Sequence, residues 1–268
     1  MHPTDIRIRE VAFDYEDFHY RTPIKFGGVA LDRVTLLNVD CVVETVDGAV
    51  AGGFGSMPLG NVWSFPSRML SYDTTLNAMK RLAGRIARLT ADYNEAGHPI
   101  DLNHCLEPRY LQAAVEVSRQ LKLSEPIPKL CTLVAASPFD AAVHDAYGKV
   151  HGLNCYRTYG PEYLHHDLGH YLGSEFRGEA LARYISAKPQ PYLPLYHLIG
   201  ALDPLEAADV VKPINDGLPE TLPEWIRYNG LTHLKIKLNG DDLACVVLLN
   251  EWDLHIRDPA ASYDPDPH

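Results

Sequence analysis

The chain has 268 residues, of which 46% are hydrophobic and 22% are charged, and its formal net charge is −11. These values are typical of a globular protein that is long enough to bury a sizeable core. The acidic balance argues against nucleic acid, whose phosphates require clustered Lys and Arg, and against anchoring on an anionic membrane surface. It says little about a substrate, because a basic pocket can form inside an acidic protein.

The five cysteines are widely spaced and none belongs to a CxxC pair. Neither a disulfide framework nor a zinc ribbon is therefore predicted, and we expect reduced, mostly buried thiols in a cytoplasmic protein. The first residues contain no cationic stretch followed by an apolar run, so no signal peptide is predicted. The longest apolar run, Leu243–Leu249, is too short to cross a bilayer.

The first part of the chain predicts a β-meander. Alternation over residues 6–13 and the β-branched residues of 34–46 indicate two strands, and Asp47-Gly48 indicates a hairpin turn before a third strand at 49–54. We expect long loops at residues 20–28 and 55–66.

Three helices are predicted next. Asp73 can cap a helix that ends near Gly97, and a second helix is expected over residues 107–121. Ser137-Pro138 indicates the start of a third helix, with proline at its first position, which stops before Gly152. Residues 159–188 give no clear pattern.

The C-terminal part predicts a βαβ unit, with strands at residues 192–199 and 232–238 and a helix at 222–228. This order implies parallel strands joined by a right-handed crossover. Residues 241–249 can begin another helix, but the prolines of 258–268 exclude a central strand. We expect the chain from about residue 245 onward to be poorly packed.

Lys235 and Lys237 are the sharpest chemical feature. On a strand, residues two apart point to the same face, with Cα atoms roughly 6.6 Å apart. Two ammonium groups at that range repel by about 2.5 kcal/mol in a partly desolvated site. The repulsion favours loss of a proton from one amine, as a general base requires. The alternative is two solvated lysines on an exposed face of the strand.

Three segments in this order resemble the mandelate racemase / muconate lactonizing enzyme family of the enolase superfamily. Ser137–Lys149, with the following His151–Tyr156, resembles the helix that ends that family's capping domain. Leu193–Gly200 resembles its first barrel strand, and His233–Gly240 resembles the strand that carries a lysine-x-lysine pair. The resemblance covers about residues 5–245.

The resemblance implies an α/β fold, in which an α+β capping domain at residues 1–188 precedes a partial (β/α) TIM-type barrel at 189–268. It also implies the reaction, which is removal of the proton alpha to a carboxylate to give an enediolate held by Mg²⁺. The protein would be a racemase, dehydratase or cycloisomerase of a small-molecule carboxylic acid or acid sugar. A homo-oligomer is left open.

The resemblance also implies roles for individual residues. Lys237 would be the base, and Lys235 would contact the substrate carboxylate. The loops at 20–28 and 55–66 match the two that close over substrate in the family. They carry the substrate-loop candidates Tyr20, Arg21, Lys25 and Trp63. Trp63 and Phe65 could contact substrate in the second loop, and packing in the core or at a hinge is the alternative.

The sequence departs from the family pattern at its C-terminal end. The family's metal-binding carboxylates follow the third, fourth and fifth barrel strands, and this chain stops where the third is expected. Asp264 and Asp266 are at about the right distance along the chain, but their proline-rich setting suits no buried strand. We therefore expect a C-terminally truncated chain with an incomplete Mg²⁺ site and no identifiable metal ligand.

Two further interpretations remain open. The chain could be a catalytically inactive truncated remnant, for example one produced by a frameshift after Ala244. It could also be a metal-binding or interaction module using His165, His166 and His170, although Gly169 and the lack of a HExxH glutamate disfavour this. The glycine-rich stretch Gly52–Gly55 lacks the GxGxxG spacing of a phosphate cradle.

Overall fold

The computed structural model describes residues 2–26, 29–186 and 188–237. In chain order the helices and strands are β1 (Ile6–Phe26), β2 (Val29–Thr45), β3 (Val50–Pro58), α1 (Asn61–Ser64), α2 (Tyr72–Ala91), α3 (Pro99–Gln120), α4 (Lys129–Val150), α5 (Leu168–Tyr171), β4 (Tyr196–Ile199), α6 (Leu222–Asn229) and β5 (His233–Ile236). Short 3₁₀ turns lie between α4 and α6.

The chain divides into two units. The first contains the chain up to His19 and Arg33–Pro189, and the second contains Tyr20–Asp32 and the chain from Gln190 onward. Residues 20–32 of the second unit fall within the predicted capping domain at residues 1–188. The division into a capping domain and a barrel fragment stays a prediction.

The N-terminal sheet has the strand order β1-β2-β3, with β2 and β3 antiparallel and Cys41 opposite Gly53. The three strands are longer than predicted. The expectation of a loop at residues 20–28 is wrong for Tyr20–Phe26, which belong to β1. Because β1 lies at the edge of this sheet, Pro23 can be accommodated in the strand without breaking an interior ladder.

Helix α2 begins two residues earlier than predicted. Its N-cap is Ser71, whose Oγ accepts a hydrogen bond from the Thr74 N–H at 3.1 Å, and Asp73 lies in the first turn. The helix ends at Ala91, before Gly97. Helix α3 begins at Pro99 and not near residue 107, because His98 caps it with its own ring nitrogen.

Helix α4 begins at Lys129, so the prediction that Pro138 occupies its first turn is wrong. An interior proline leaves the carbonyl four residues earlier without an amide donor. Here that carbonyl is Val134 O, and the Ser137 hydroxyl donates to it at 2.9 Å. The side chain of Ser137 thus replaces the missing backbone hydrogen bond, which explains how the helix continues through the proline.

The glycines of β3 allow α4 to approach the sheet closely. A β-carbon on Gly53 would lie 2.2 Å from Ala142 O, and one on Gly55 would lie 2.1 Å from Pro138 O. The glycine-rich stretch therefore serves helix–sheet packing. The predicted loop at 55–66 is also partly regular, since Gly55–Pro58 extend β3 and Asn61–Ser64 form α1.

The core of the first unit lies between this sheet and helices α2, α3 and α4. Strand β2 contributes every second residue, as expected for a strand that buries one face. The buried residues include Leu37, Val39, Cys41 and Val43 from β2, Met79, Leu82 and Ile86 from α2, and Phe139, Ala142 and Val143 from α4.

The second unit contains the predicted βαβ arrangement. Strands β4 and β5 are parallel, with Leu198 opposite Lys235. A capping box between Thr221 and Glu224 begins α6, and Gly230, with φ at 58°, ends it. Ile199 and Leu222 are buried in a small apolar cluster with Leu205, Ile226, Leu234 and Ile236. The predicted mixed α/β fold class is confirmed, whereas the assignment of this unit to a partial (β/α) barrel stays a prediction.

Among the described helices, none has the length and apolarity required to cross a bilayer. Of the four cysteines in the described ranges, Cys41 and Cys131 are buried, Cys155 is half-buried and Cys105 is exposed. Burial raises the pKa of the Cys41 and Cys131 thiols to about 12. The predicted segments 241–249 and 258–268, and Cys245, lie outside the described residues.

Candidate functional site

The lysine pair lies on one face of β5. Leu234 and Ile236 pack in the apolar cluster that includes residues of α6. Because side chains alternate along a strand, Lys235 and Lys237 project from the opposite face. Lys237 follows the last residue of β5, and its backbone N–H still donates to Ile199 O at 3.0 Å, so the ladder orients it.

The two ammonium groups have different surroundings. Lys235 is exposed, with Nζ 5.4 Å from the centroid of the Tyr196 ring on β4. Lys237 is half-buried, with Nζ 3.7 Å from the centroid of the Phe26 ring. Both distances are within the range of cation–π attraction. The face therefore offers one accessible and one partly enclosed amine, a pair that can attract a carboxylate.

Arg21, a predicted substrate-loop residue, is held within the protein by an ion pair. Its Nε donates to Asp216 Oδ2 at 2.7 Å and its Nη2 donates to Asp216 Oδ1 at 2.8 Å. The hydrogen bond from Arg21 is the main reason why the pKa of Asp216 falls to about 2. The guanidinium also lies 5.9 Å from the Trp225 ring centroid. This bidentate contact with Asp216 thus uses the guanidinium donors that a substrate carboxylate would need.

The remaining candidates fall into both units. Trp63 belongs to the first unit, where its indole covers Gly60 so closely that a β-carbon there would lie 1.9 Å from Nε1. Phe65 is buried in the core of the same unit. The second unit contains the other five predicted residues, which are Tyr20, Arg21, Lys25, Lys235 and Lys237.

Four residues at or near the site were not predicted from the sequence: Phe26, Asp216, Trp225 and Tyr196. Tyr196 had a usable signal, because a residue on the neighbouring strand of a βαβ unit can lie beside Lys235. Nothing in the sequence linked Phe26 with Lys237 or Arg21 with Asp216. These pairs are about 200 residues apart, and only the folded chain brings them together.

The described residues do not fit a bound Mg²⁺. Within the described ranges, no group of three or more His, Cys, Asp or Glu side chains is arranged to hold a metal ion. The weak candidates Asp264 and Asp266 lie outside the described residues. No residue described in this chain is therefore assigned to the metal.

The histidine cluster does not form a metal site either. His165 directs Nε2 at the Asp5 carboxylate, at 2.8 and 3.0 Å, and Asp5 is only 1% exposed. Asp5 also accepts a hydrogen bond from the His2 N–H at 2.7 Å. The rings of His166 and His170 stack on each other with centroids 3.9 Å apart. His165 is thus bound to Asp5 while His166 and His170 stack on each other, and among the described residues the metal-binding interpretation finds no support.

The fold and the lysine pair define a mixed α/β protein with a cationic, partly enclosed face on a parallel β-sheet. No family model matches the sequence, and no curated protein matches it significantly. The structural neighbours are proteins of the enolase superfamily at low sequence identity.

Three of these solved structures show the extent of the similarity. The L-Ala-D/L-Glu epimerase of Bacillus subtilis is 15% identical, with a TM-score of 0.47, over 93% of this chain and 50% of that one. The dipeptide epimerase of Methylococcus capsulatus, complexed with Mg and a dipeptide, is 18% identical, with a TM-score of 0.46, over 91% and 49%. The L-talarate/galactarate dehydratase of Salmonella typhimurium LT2 is 21% identical, with a TM-score of 0.36, over 61% and 35%. This chain therefore spans half or less of their length.

Proposed function

We propose that this chain supplies the lysine base for removing the proton alpha to the carboxylate of a small molecule, as in the mandelate racemase / muconate lactonizing enzyme family. The observation that carries the proposal is the position of Lys235 and Lys237 on the face of β5 opposite its apolar cluster. Half-burial of Lys237 supports its role as the base, since a partly enclosed amine is shielded from water.

In the proposed reaction the two lysines act differently. Lys237 Nζ takes the proton from the carbon next to the substrate carboxylate. Lys235 Nζ attracts the carboxylate, whose oxygens gain negative charge as the proton leaves. Return of a proton or loss of a leaving group then completes an isomerase or lyase reaction of a carboxylic acid or acid sugar.

Mg²⁺ would supply Lewis-acid stabilisation of the enediolate in this family. Because the described residues offer no ligand set for it, the steps assigned to this chain are limited to carboxylate binding and proton abstraction. A cytoplasmic location and a homo-oligomer also stay predictions.

Deuterium exchange tests the proposal. The chain is incubated in D₂O with Mg²⁺ and a panel of mandelate, dipeptides and acid sugars, and ¹H NMR follows loss of the alpha-proton signal. We expect exchange with at least one member of the panel, and we expect Lys237→Ala to slow it by about 10²-fold or more. Lys212→Ala, which removes an exposed lysine of the same unit, is the matched control and should exchange at the wild-type rate.

Two results would contradict the proposal in different ways. Absence of exchange across the whole panel would favour the inactive remnant. Exchange that survives Lys237→Ala would show that another group is the base.

A further inference from the structure

We infer that Phe26 is a positioning residue for Lys237, and that the Arg21–Asp216 ion pair holds the part of β1 that carries Phe26. The inference deepens the proposed function and rests on it for its catalytic meaning. The geometry itself can be tested without turnover.

The ammonium group of Lys237 contacts the ring of Phe26. Lys237 Nζ lies 3.7 Å from the Phe26 ring centroid, and both side chains are half-buried. The face of an aromatic ring carries negative potential, so it attracts an ammonium group. The lysine side chain is a flexible four-carbon stem, and this attraction restricts where its Nζ can lie. The ring also receives the ammonium that forms when Lys237 accepts a proton.

The position of Phe26 is restricted by an ion pair on the same strand. Phe26 is the last residue of β1 and lies at the edge of its sheet, in the part of β1 that belongs to the second unit. Five residues earlier on the same strand, Arg21 makes two hydrogen bonds with Asp216. Five residues of strand span roughly 17 Å. Fixing Arg21 therefore limits the positions available to Phe26.

Contacts of the Trp225 ring connect this ion pair to β4, the strand paired with β5. The Arg21 guanidinium lies 5.9 Å from the Trp225 ring on α6. The Trp225 ring in turn lies 5.5 Å from the His197 ring on β4, the strand paired with β5. A series of side-chain contacts thus runs from Arg21 on β1 through Trp225 to β4, the strand paired with β5.

NMR of the full chain with ¹³C-labelled lysine measures the contact directly. Protons held over a ring face are shifted upfield by the ring current, so the Lys237 Cε–Hε signal should lie upfield of the other lysine signals. Lys237→Arg identifies the signal by removing it. Phe26→Leu should move it to the ordinary lysine region, whereas Phe26→Tyr, which keeps the ring, should leave it upfield.

The same signal tests the ion pair. Arg21→Gln and Asp216→Asn should each reduce the upfield shift of Lys237, although neither residue contacts that lysine. The double variant should have no larger effect than either single variant, because each already breaks the same contact. Arg227→Gln removes an arginine from α6 of the same unit and should leave the Lys237 signal unchanged.

The results separate the two parts of the inference. An unmoved Lys237 signal in Phe26→Leu would overturn the positioning role. A signal that moves in Phe26→Leu but not in Arg21→Gln would overturn the role of the ion pair. Dispersed amide spectra identify folded variants, and Phe26→Met provides a second ring-free variant in case Phe26→Leu does not fold.

The exchange assay adds the catalytic readout. If the wild type exchanges a substrate alpha proton, Phe26→Leu should lower kcat by about 10-fold, with KM little changed, and Phe26→Tyr should restore it. An unchanged kcat with a lost upfield shift would mean that the contact has no catalytic role. If no substrate exchanges at all, the proposed function fails while the NMR result still decides the geometry.

Discussion

Gly53 lies against the backbone of Ala146 so closely that a β-carbon on the glycine would be 2.3 Å from Ala146 N. Such distances require the helix or the strand to move. We therefore expect Gly53→Ala to destabilise the protein by about 1–3 kcal/mol through overpacking. Urea unfolding should show a lower midpoint with an unchanged m-value.

Gly52→Ala is the matched control for this prediction. The nearest atom to its β-carbon is Cys41 O at 3.9 Å, which is ordinary contact. Its free energy of unfolding should stay within about 0.5 kcal/mol of the wild type. Equal losses in the two variants would refute the packing explanation.

Ser137→Ala tests how α4 continues through Pro138. Removing the hydroxyl leaves Val134 O without its donor, and we expect a loss of about 1 kcal/mol in the free energy of unfolding. In a Pro138→Ala background the amide of residue 138 can serve the same carbonyl, so the loss should largely disappear. A thermodynamic cycle of the four proteins measures this coupling. Additive effects would contradict it.

We expect burial of His98 to make the protein less stable in acid. Its ring is fully buried, Nδ1 accepts from the Ile100 N–H, and Nε2 lies 3.2 Å from the hydroxyl of Thr158. The Thr158 hydroxyl donates to Cys155 O, so it accepts from His98 Nε2–H. This network requires the neutral ring. Burial is the main reason why the pKa of His98 falls from 6.5 to about 3.

The direction of this pH dependence follows from proton binding at His98. Between pH 6.5 and about 3 the unfolded chain binds a proton at His98 and the folded chain does not, so stability falls as the pH falls. The full change in stability over this range is on the order of 5 kcal/mol. His98→Asn keeps a capping oxygen and should show a flatter dependence of unfolding free energy over this range, measured against the wild type.

His144 should give the opposite pH dependence of stability. Burial lowers its pKa, but the hydrogen bond and charge of Asp140 outweigh burial and raise it above 6.5. Its contribution to stability is therefore present at low pH and is lost as the pH rises through the raised pKa. His144→Asn should selectively reduce stability on the acid side, and a loss confined to alkaline pH would contradict the assignment.

His165→Ala should destabilise the protein, because it leaves the Asp5 carboxylate buried with one fewer hydrogen bond. Since the His2 N–H remains bound to Asp5, we expect a loss of about 3 kcal/mol. His166→Ala changes a neighbouring histidine that stacks on His170, and it should cost less than about 1 kcal/mol. Thermal melts with and without added Zn²⁺ compare the variants. Stabilisation of the wild type by Zn²⁺ that is lost in His166→Ala would restore the metal-binding interpretation.

Local patterns in the sequence predicted the kinds of elements well and their ends poorly. The alternation of β2 and the capping box of α6 are properties of neighbouring residues, so they can be read without the fold. The start of α4 was not predicted, because Ser137-Pro138 is also the pattern of a helix start and does not by itself distinguish that start from a helix interior. The length of β1 depended on its edge position in the sheet, which spacing alone does not reveal.

The sequence by itself determined that Lys235 and Lys237 share a face, because the period of a strand is two residues whatever surrounds it. Only the tertiary structure decided that Phe26 lies at Lys237 and that Asp216 binds Arg21. Contacts between residues about 200 positions apart depend on the path of the whole chain. No local propensity encodes that path.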